Sequence, residues 1–245
     1  MTTESSAEWT FENLLWRREL TAPPWHGGTL LLGLVLTLGS YLLASLIVAK
    51  LLNDFGLVNS PVTGIALSAT QLAMLLPALI VAARYRRPLH DLGFRPFRWL
   101  SVVELFFALG LGFSASILWG LFLLFFDKQA QPPILPIFGD GVTGFVVAYV
   151  VGALVAPLVE EVVFRGFLFG GLLGTFSAPV AMALSALVFA GLHLQPFAFP
   201  VLFILGLLMA LLYYRSGSLW LPILMHFVIN SVGLCGQFAL QSMGV

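Results

Sequence analysis

Long apolar stretches recur along the chain and leave little choice of architecture. Seven are legible, at Thr29–Leu52, Val62–Ala83, Leu100–Phe126, Val142–Leu173, Ala178–Leu194, Phe197–Tyr214 and Leu219–Leu240. A helix needs roughly 20 apolar residues to cross about 30 Å of hydrocarbon. Backbone amides in lipid must find partners inside the protein, which favours helices. The two conditions predict an all-α polytopic transmembrane bundle of about seven spans, with six or eight allowed by the less certain boundaries. Composition agrees: 9% of the 245 residues are charged and mean hydropathy is +1.01, whereas a soluble domain carries about 25% charge. The formal net charge is zero, so no basic surplus invites nucleic acid.

The chain divides into a polar, amphipathic N-terminal segment (1–28), three N-terminal spans (29–126) and a C-terminal group of spans (142–240). The segment "EWTFENLLWRREL" interleaves aromatics and leucines with charge, a pattern suited to lying on a membrane surface. No short apolar core followed by small residues precedes the first span, so that span is expected to direct insertion itself. Arg84, Arg86, Arg87, Arg95 and Arg98 crowd the loop between the second and third spans, and with Arg17, Arg18 and Arg215 they put eight cations on one side. The positive-inside rule then places the N-terminus in the cytoplasm, in a multi-pass protein expected in the plasma membrane. The lone cysteine, Cys235, lies in an apolar run and reads as packing. Gly170 and Gly174 form a G-x-x-x-G that permits close approach of a neighbour.

Against this background a few ionisable side chains stand out. Glu160 and Glu161 lie deep in the fourth stretch, in "APLVEEVVFRG". A charge at a helix centre costs roughly 2.5–3.5 kcal/mol on insertion scales, so both must face protein, water or a partner charge. Arg165 is four residues beyond Glu161 and can pair with it along one helix face. Pro157 lacks an N–H and is expected to release the carbonyl of Ala153. His193 closes the fifth stretch in "FAGLH", one turn after Phe189, and His226 and Asn230 share a face of the seventh in "HFVIN". Gln71 and Glu104 read as interhelical glue and an interfacial carboxylate. If the helices bundle, a carboxylate and an imidazole can share one water and take its proton. A second imidazole and an amide can donate to an oxyanion on a peptide carbonyl. By rise per residue His226 lies roughly 10 Å from the turn before it, and His193 lies farther along its own span. Convergence therefore asks the fifth helix to start below the surface or to tilt.

The motifs E-E-x-x-x-R, F-x-x-x-H and H-x-x-x-N, found here at Glu160–Arg165, Phe189–His193 and His226–Asn230, resemble those of the CAAX protease and bacteriocin-processing (Abi) family of intramembrane endopeptidases. The resemblance covers about Val142–Gln237 and keeps the family's order. It implies that Glu160 and His193 activate the attacking water, that His226 and Asn230 form the oxyanion hole, and that Glu161 is a second essential carboxylate. Arg165 would hold the carboxylates, and Phe189 would support the site. It implies a peptide or protein substrate, with or without a prenyl group, met in the lipid bilayer. A metal is open: either no cofactor is required, the reading slightly preferred, or a single Zn2+ is held by Glu160, His193 and His226. Two other functional classes remain. A proton-coupled transporter could run a relay through the buried Glu and His groups, although no internal repeat is visible. A non-catalytic membrane scaffold could bind hydrophobic segments.

Overall fold

The computed structural model describes residue 20 and residues 22–243; the amphipathic reading of the N-terminal segment falls almost wholly outside them. The described residues are helical without strands: α1 (Gly27–Asp54), α2 (Pro61–Ala82), a short α3 (Pro88–Asp91), α4 (Ser101–Leu124), α5 (Gly141–Leu172), α6 (Ala178–Leu192), α7 (Phe199–Ser216) and α8 (Trp220–Met243). Each apolar stretch of the sequence is a helix. Six are long and apolar enough to cross a membrane, and α6, with 15 residues, is not. At about 1.5 Å per residue α6 falls short of a hydrocarbon core about 30 Å thick.

The helix ends follow local chemistry. Ser60 and Thr63 form a reciprocal capping box at the start of α2, with Pro61 as the first helical residue. Gly217, in the left-handed region at φ 67°, ends α7. Pro179 and Pro200 sit in the first turns of α6 and α7, where their missing N–H costs nothing. The outer faces of α1 and α4 carry Leu31, Val35, Leu46, Phe106, Phe107 and Leu118, all exposed; in a span these are lipid-facing. Cys235 is exposed as well, which corrects its reading as packing: an apolar run in a lipid-facing helix need not be buried.

α5 is the axis of the core, and its residues 161–171 are all buried. It is α-helical at both ends and around Ala156–Glu161, and widens to π geometry at Val150–Val155 and Val162–Phe169. In the first wide segment the N–H of Ala156 bonds the carbonyl of Val151, five residues back. The next donor in that register would be Pro157, which has none, so the carbonyl of Gly152 is released in this wide turn. Side chains from three other elements serve the carbonyls of α5: Asn230 bonds Gly152 O at 2.8 Å, Ser185 bonds Phe164 O at 2.9 Å, and the indole of Trp25 bonds Phe167 O at 3.0 Å. Gly171 and Gly174 admit Leu30, Trp25 and His26 against the end of α5. The small-residue stripe thus seats the chain entering α1.

The start of α8 is enclosed by the protein, and His193 and His226 come to the same ring, that of Phe189. Ser218 and Leu219, just before α8, are fully buried. The five-arginine loop covers them, with Leu219 N–H donating to Gly93 O at 2.8 Å and Ser218 Oγ donating to Arg95 O at 2.7 Å. α8 therefore begins beneath a loop. Leu92, fully buried, is pressed against Gly166, and its carbonyl accepts the Tyr213 hydroxyl at 3.1 Å. Glu104 accepts Arg215 Nη2 at 2.6 Å and Nε at 3.0 Å, tying α4 to the end of α7.

Gly93 has φ 102°, and a Cβ there would overlap the Tyr213 ring. Gly93→Ala is expected to cost about 1–3 kcal/mol from backbone strain alone and to lower the unfolding midpoint in detergent. Gly110→Ala, where a Cβ meets nothing within 4 Å, is the matched control and should be neutral or slightly stabilising.

Candidate active site

Arg165 and Glu161 occupy the same face of α5 one turn apart. The guanidinium Nη1 donates to Glu161 Oε1 at 2.8 Å, and both side chains are 0% exposed. Nη2 donates to the carbonyl of Gly206 on α7 at 3.3 Å, and the guanidinium carbon lies 4.4 Å from the centroid of the Phe189 ring. A buried arginine is tolerable only with such company: a carboxylate, a carbonyl and an aromatic face.

The same Glu161 oxygen lies 2.9 Å from His226 Nδ1. A carboxylate that serves the arginine is an acceptor, so Nδ1 carries the proton and donates. This fixes the ring and leaves Nε2 on the far side, 3.9 Å from Glu160 Oε2. That separation is too long for a hydrogen bond, but one water could touch both atoms. Glu160 itself, about 100° round the helix from Glu161, is partly exposed at 17% for its side chain.

His193 is the residue that ends α6. Its Nδ1 lies 2.8 Å from the carbonyl of Phe189, one turn back. A carbonyl only accepts, so Nδ1 carries hydrogen and the neutral ring keeps its lone pair on Nε2. Phe189 also packs edge-on against the rings of Phe164, His193 and His226, which makes it the common wall of the cluster. A cavity of about 220 Å³ opens here, lined by Tyr41, Gln71, Met74, Glu160, Phe164, Leu192 and His193. α5 and α6 thus bring a carboxylate and an imidazole to one cavity, and α1 and α2 close its other side. Glu160 Oε2 and Gln71 Oε1 are buried in the protein without a hydrogen-bond partner.

The expected site residues do not all reach this cavity. Glu160 and His193 line it; His226 adjoins Glu160; Glu161 and Arg165 lie behind, joined to it through His226. Asn230 is diverted, with its amide nitrogen on Gly152 O, about two turns along α5 from Glu160. Gln71 and Tyr41 were not singled out for the site by sequence. Gln71 is the one carboxamide in the second apolar stretch, a signal read as glue.

For zinc, three nitrogen or oxygen donors must each come within about 2.0–2.2 Å of one point. Glu160 Oε2 and His226 Nε2, at 3.9 Å, are farther apart than adjacent ligands of a tetrahedral ion. Among the described residues no three His, Cys, Asp or Glu side chains are grouped closely enough to hold a metal ion. In this arrangement Glu160 and His226 stand about 0.5 Å wider than tetrahedral zinc ligands, whose donors lie about 3.4 Å apart.

Carboxylates and imidazoles on three apolar helices, with the imidazole tautomers set by neighbours, form an arrangement suited to moving protons. Comparison with known proteins points the same way. Residues 142–232 match the family model described as type II CAAX prenyl endopeptidase, Rce1-like. The resemblance carried by the three motifs is thereby found independently, over the span from the start of α5 into α8. A curated relative, the "Putative membrane peptidase YdiL" of Bacillus subtilis (strain 168), is 26% identical over 120 residues, covering 49% of this chain and 48% of its own length. The chain thus aligns with about half the length of that curated relative. No solved structure matches significantly. α1, α2 and α4 fall outside the Rce1-like match, so that match does not address the walls that α1 and α2 give the cavity.

Arg165→Met would strand the Glu161 carboxylate in a dry core and should cost about 3–5 kcal/mol. Adding Glu161→Gln should recover part of that loss, a non-additivity measurable as a double-variant cycle of unfolding midpoints in detergent. Asn230→Leu removes the partner of Gly152 O and should cost about 1–3 kcal/mol, again read as a lowered midpoint.

Proposed function

We propose that this protein is an intramembrane endopeptidase of the type II CAAX kind, hydrolysing a peptide bond of a hydrophobic or lipidated substrate. The single observation that carries the reading is that Glu160 and His193, from different helices and different motifs, line one cavity. The Rce1-like match over 142–232 supplies the reaction class.

In this reading a water enters between Glu160 and His193. One of its protons goes to the Glu160 carboxylate, while His193 Nε2 accepts the other as a hydrogen bond and aims the oxygen lone pair. The oxygen attacks the substrate carbonyl carbon, a C–O bond forms, and the carbonyl π pair moves onto its oxygen. When the tetrahedral centre collapses, the C–N bond breaks and the proton held by Glu160 passes to the departing nitrogen, leaving an acid and an amine. For the oxyanion, the resemblance points to His226 and Asn230. His226 has Nε2 to offer, a donor when both ring nitrogens carry hydrogen. Asn230 has one N–H left after Gly152. Arg165 holds Glu161, and Glu161 holds His226 in place. The N-terminus is proposed to be cytoplasmic, with the five-arginine loop on the same side.

The test uses purified protein in detergent or nanodiscs and a library of hydrophobic peptides, with and without a farnesylated cysteine near the C-terminus, read by mass spectrometry for new termini. Wild type should cleave a subset of them. Glu160→Gln should lose about 10²–10⁴-fold in rate with its unfolding midpoint retained, and a Glu160→Gln protein as active as wild type would remove the assignment.

A further inference from the structure

The walls of the Glu160/His193 cavity are unequal in hydrogen-bonding sense. On the α5/α6 side the groups that handle the water are acceptors: the Glu160 carboxylate, and His193 Nε2, whose partner nitrogen already donates to Phe189 O. A carbonyl that becomes an oxyanion needs donors aimed at it. Neither His226 nor Asn230 lines this cavity. His226 Nδ1 is engaged by Glu161 and one Asn230 N–H by Gly152 O, so what remains for an oxyanion from these two is His226 Nε2 and one Asn230 N–H, on residues outside the cavity lining. The residues lining the cavity that own a side-chain donor as neutral groups, besides His193 itself, are Gln71 on α2 and Tyr41 on α1.

Gln71 is the better placed chemically. Its Oε1 is buried without a partner, and no hydrogen bond from its amide to any described residue is present. An interior amide left unpaired is destabilising, so packing glue is a poor account of it: glue would be bonded to a neighbouring helix, as Asn230, Ser185 and Ser40 are. Gln71 lines the same cavity as Glu160 and His193, the two groups that activate water in this reading. We propose that Gln71 is a catalytic residue that donates an N–H of its carboxamide to the oxygen of the scissile carbonyl, from the wall opposite Glu160 and His193, and strengthens that bond as the oxyanion forms. The donor comes from outside residues 142–232, so the N-terminal helices contribute chemistry as well as a wall. This rests on the endopeptidase reading.

The experiment compares wild type, Gln71→Met and Glu160→Gln on the peptide from the library that wild type cleaves fastest, with kcat, KM and the unfolding midpoint measured for each. Methionine keeps the length and removes both donors. Gln71→Met should lower kcat by about 10²-fold or more, in the range for loss of one oxyanion donor, with KM within about threefold of wild type and the midpoint unchanged or raised. Undiminished kcat overturns the proposal while leaving the endopeptidase standing, provided Glu160→Gln is dead. A fall of kcat together with a lowered midpoint overturns it too, because it marks Gln71 as a structural link. Absence of cleavage by wild type, or full activity in Glu160→Gln, brings down the underlying reading and this proposal with it.

Discussion

A guanidinium with no exposed surface inside a membrane-type bundle has to be surrounded before anything else can be placed. Arg165 is surrounded by Glu161 Oε1 at 2.8 Å, Gly206 O at 3.3 Å and the face of Phe189. The last two contacts each recruit a different helix, since Gly206 belongs to α7 and Phe189 to α6. Glu161, fixed by the arginine, holds His226 of α8 at 2.9 Å. Through one cation, four helices are thus brought into register around the residue next door, Glu160, which is left without a hydrogen bond and partly exposed. Burial sets the functions of the two adjacent glutamates apart. Glu161 is sealed in the core and Glu160 lines the cavity.

The irregular backbone of α5 serves the same end. A regular α-helix would give its Gly152 carbonyl to the N–H four residues on; the wide turn passes it toward Pro157, which cannot donate, and Asn230 takes it. Widened turns carry extra residues per turn and are often found at functional sites. In this chain they flank the glutamates on both sides. Carbonyls along α5 are completed by side chains of α6, α8 and the segment before α1, so the axis of the core is held by polar bonds as well as by packing. Those bonds matter more in lipid than in water, where solvent would stand in for a missing partner.

The short α6 shows how length becomes function. Fifteen residues carry the chain only part way across, and the helix stops with His193 as its closing residue. A full span would bury an imidazole within a hydrogen-bonded helix or carry it out to the interface. Stopping early leaves it at a helix end, with its ring turned back onto Phe189 O, in the lining of the cavity. α8 begins under the five-arginine loop, where Ser218 and Leu219 are buried, and its His226 packs on the same Phe189 ring as His193.

The apolar runs, the lack of charge and the cost of exposing amides to lipid determined the helices and their order, because those depend on each segment alone. The ionisable residues inside the spans, Glu160, Glu161, His193 and His226, were legible for the same reason: a charge in hydrocarbon is costly wherever its helix packs. The i,i+4 spacing of Glu161 and Arg165 also foretold their pairing. Which of two neighbouring glutamates would be sealed, where Asn230 would turn, which carbonyl Pro157 would release and that Gln71 would face the cavity were decided by tertiary structure. Each depends on helical phase and on what stands opposite. A single residue of π geometry shifts that phase by about 100°, and no local pattern in the chain announces it.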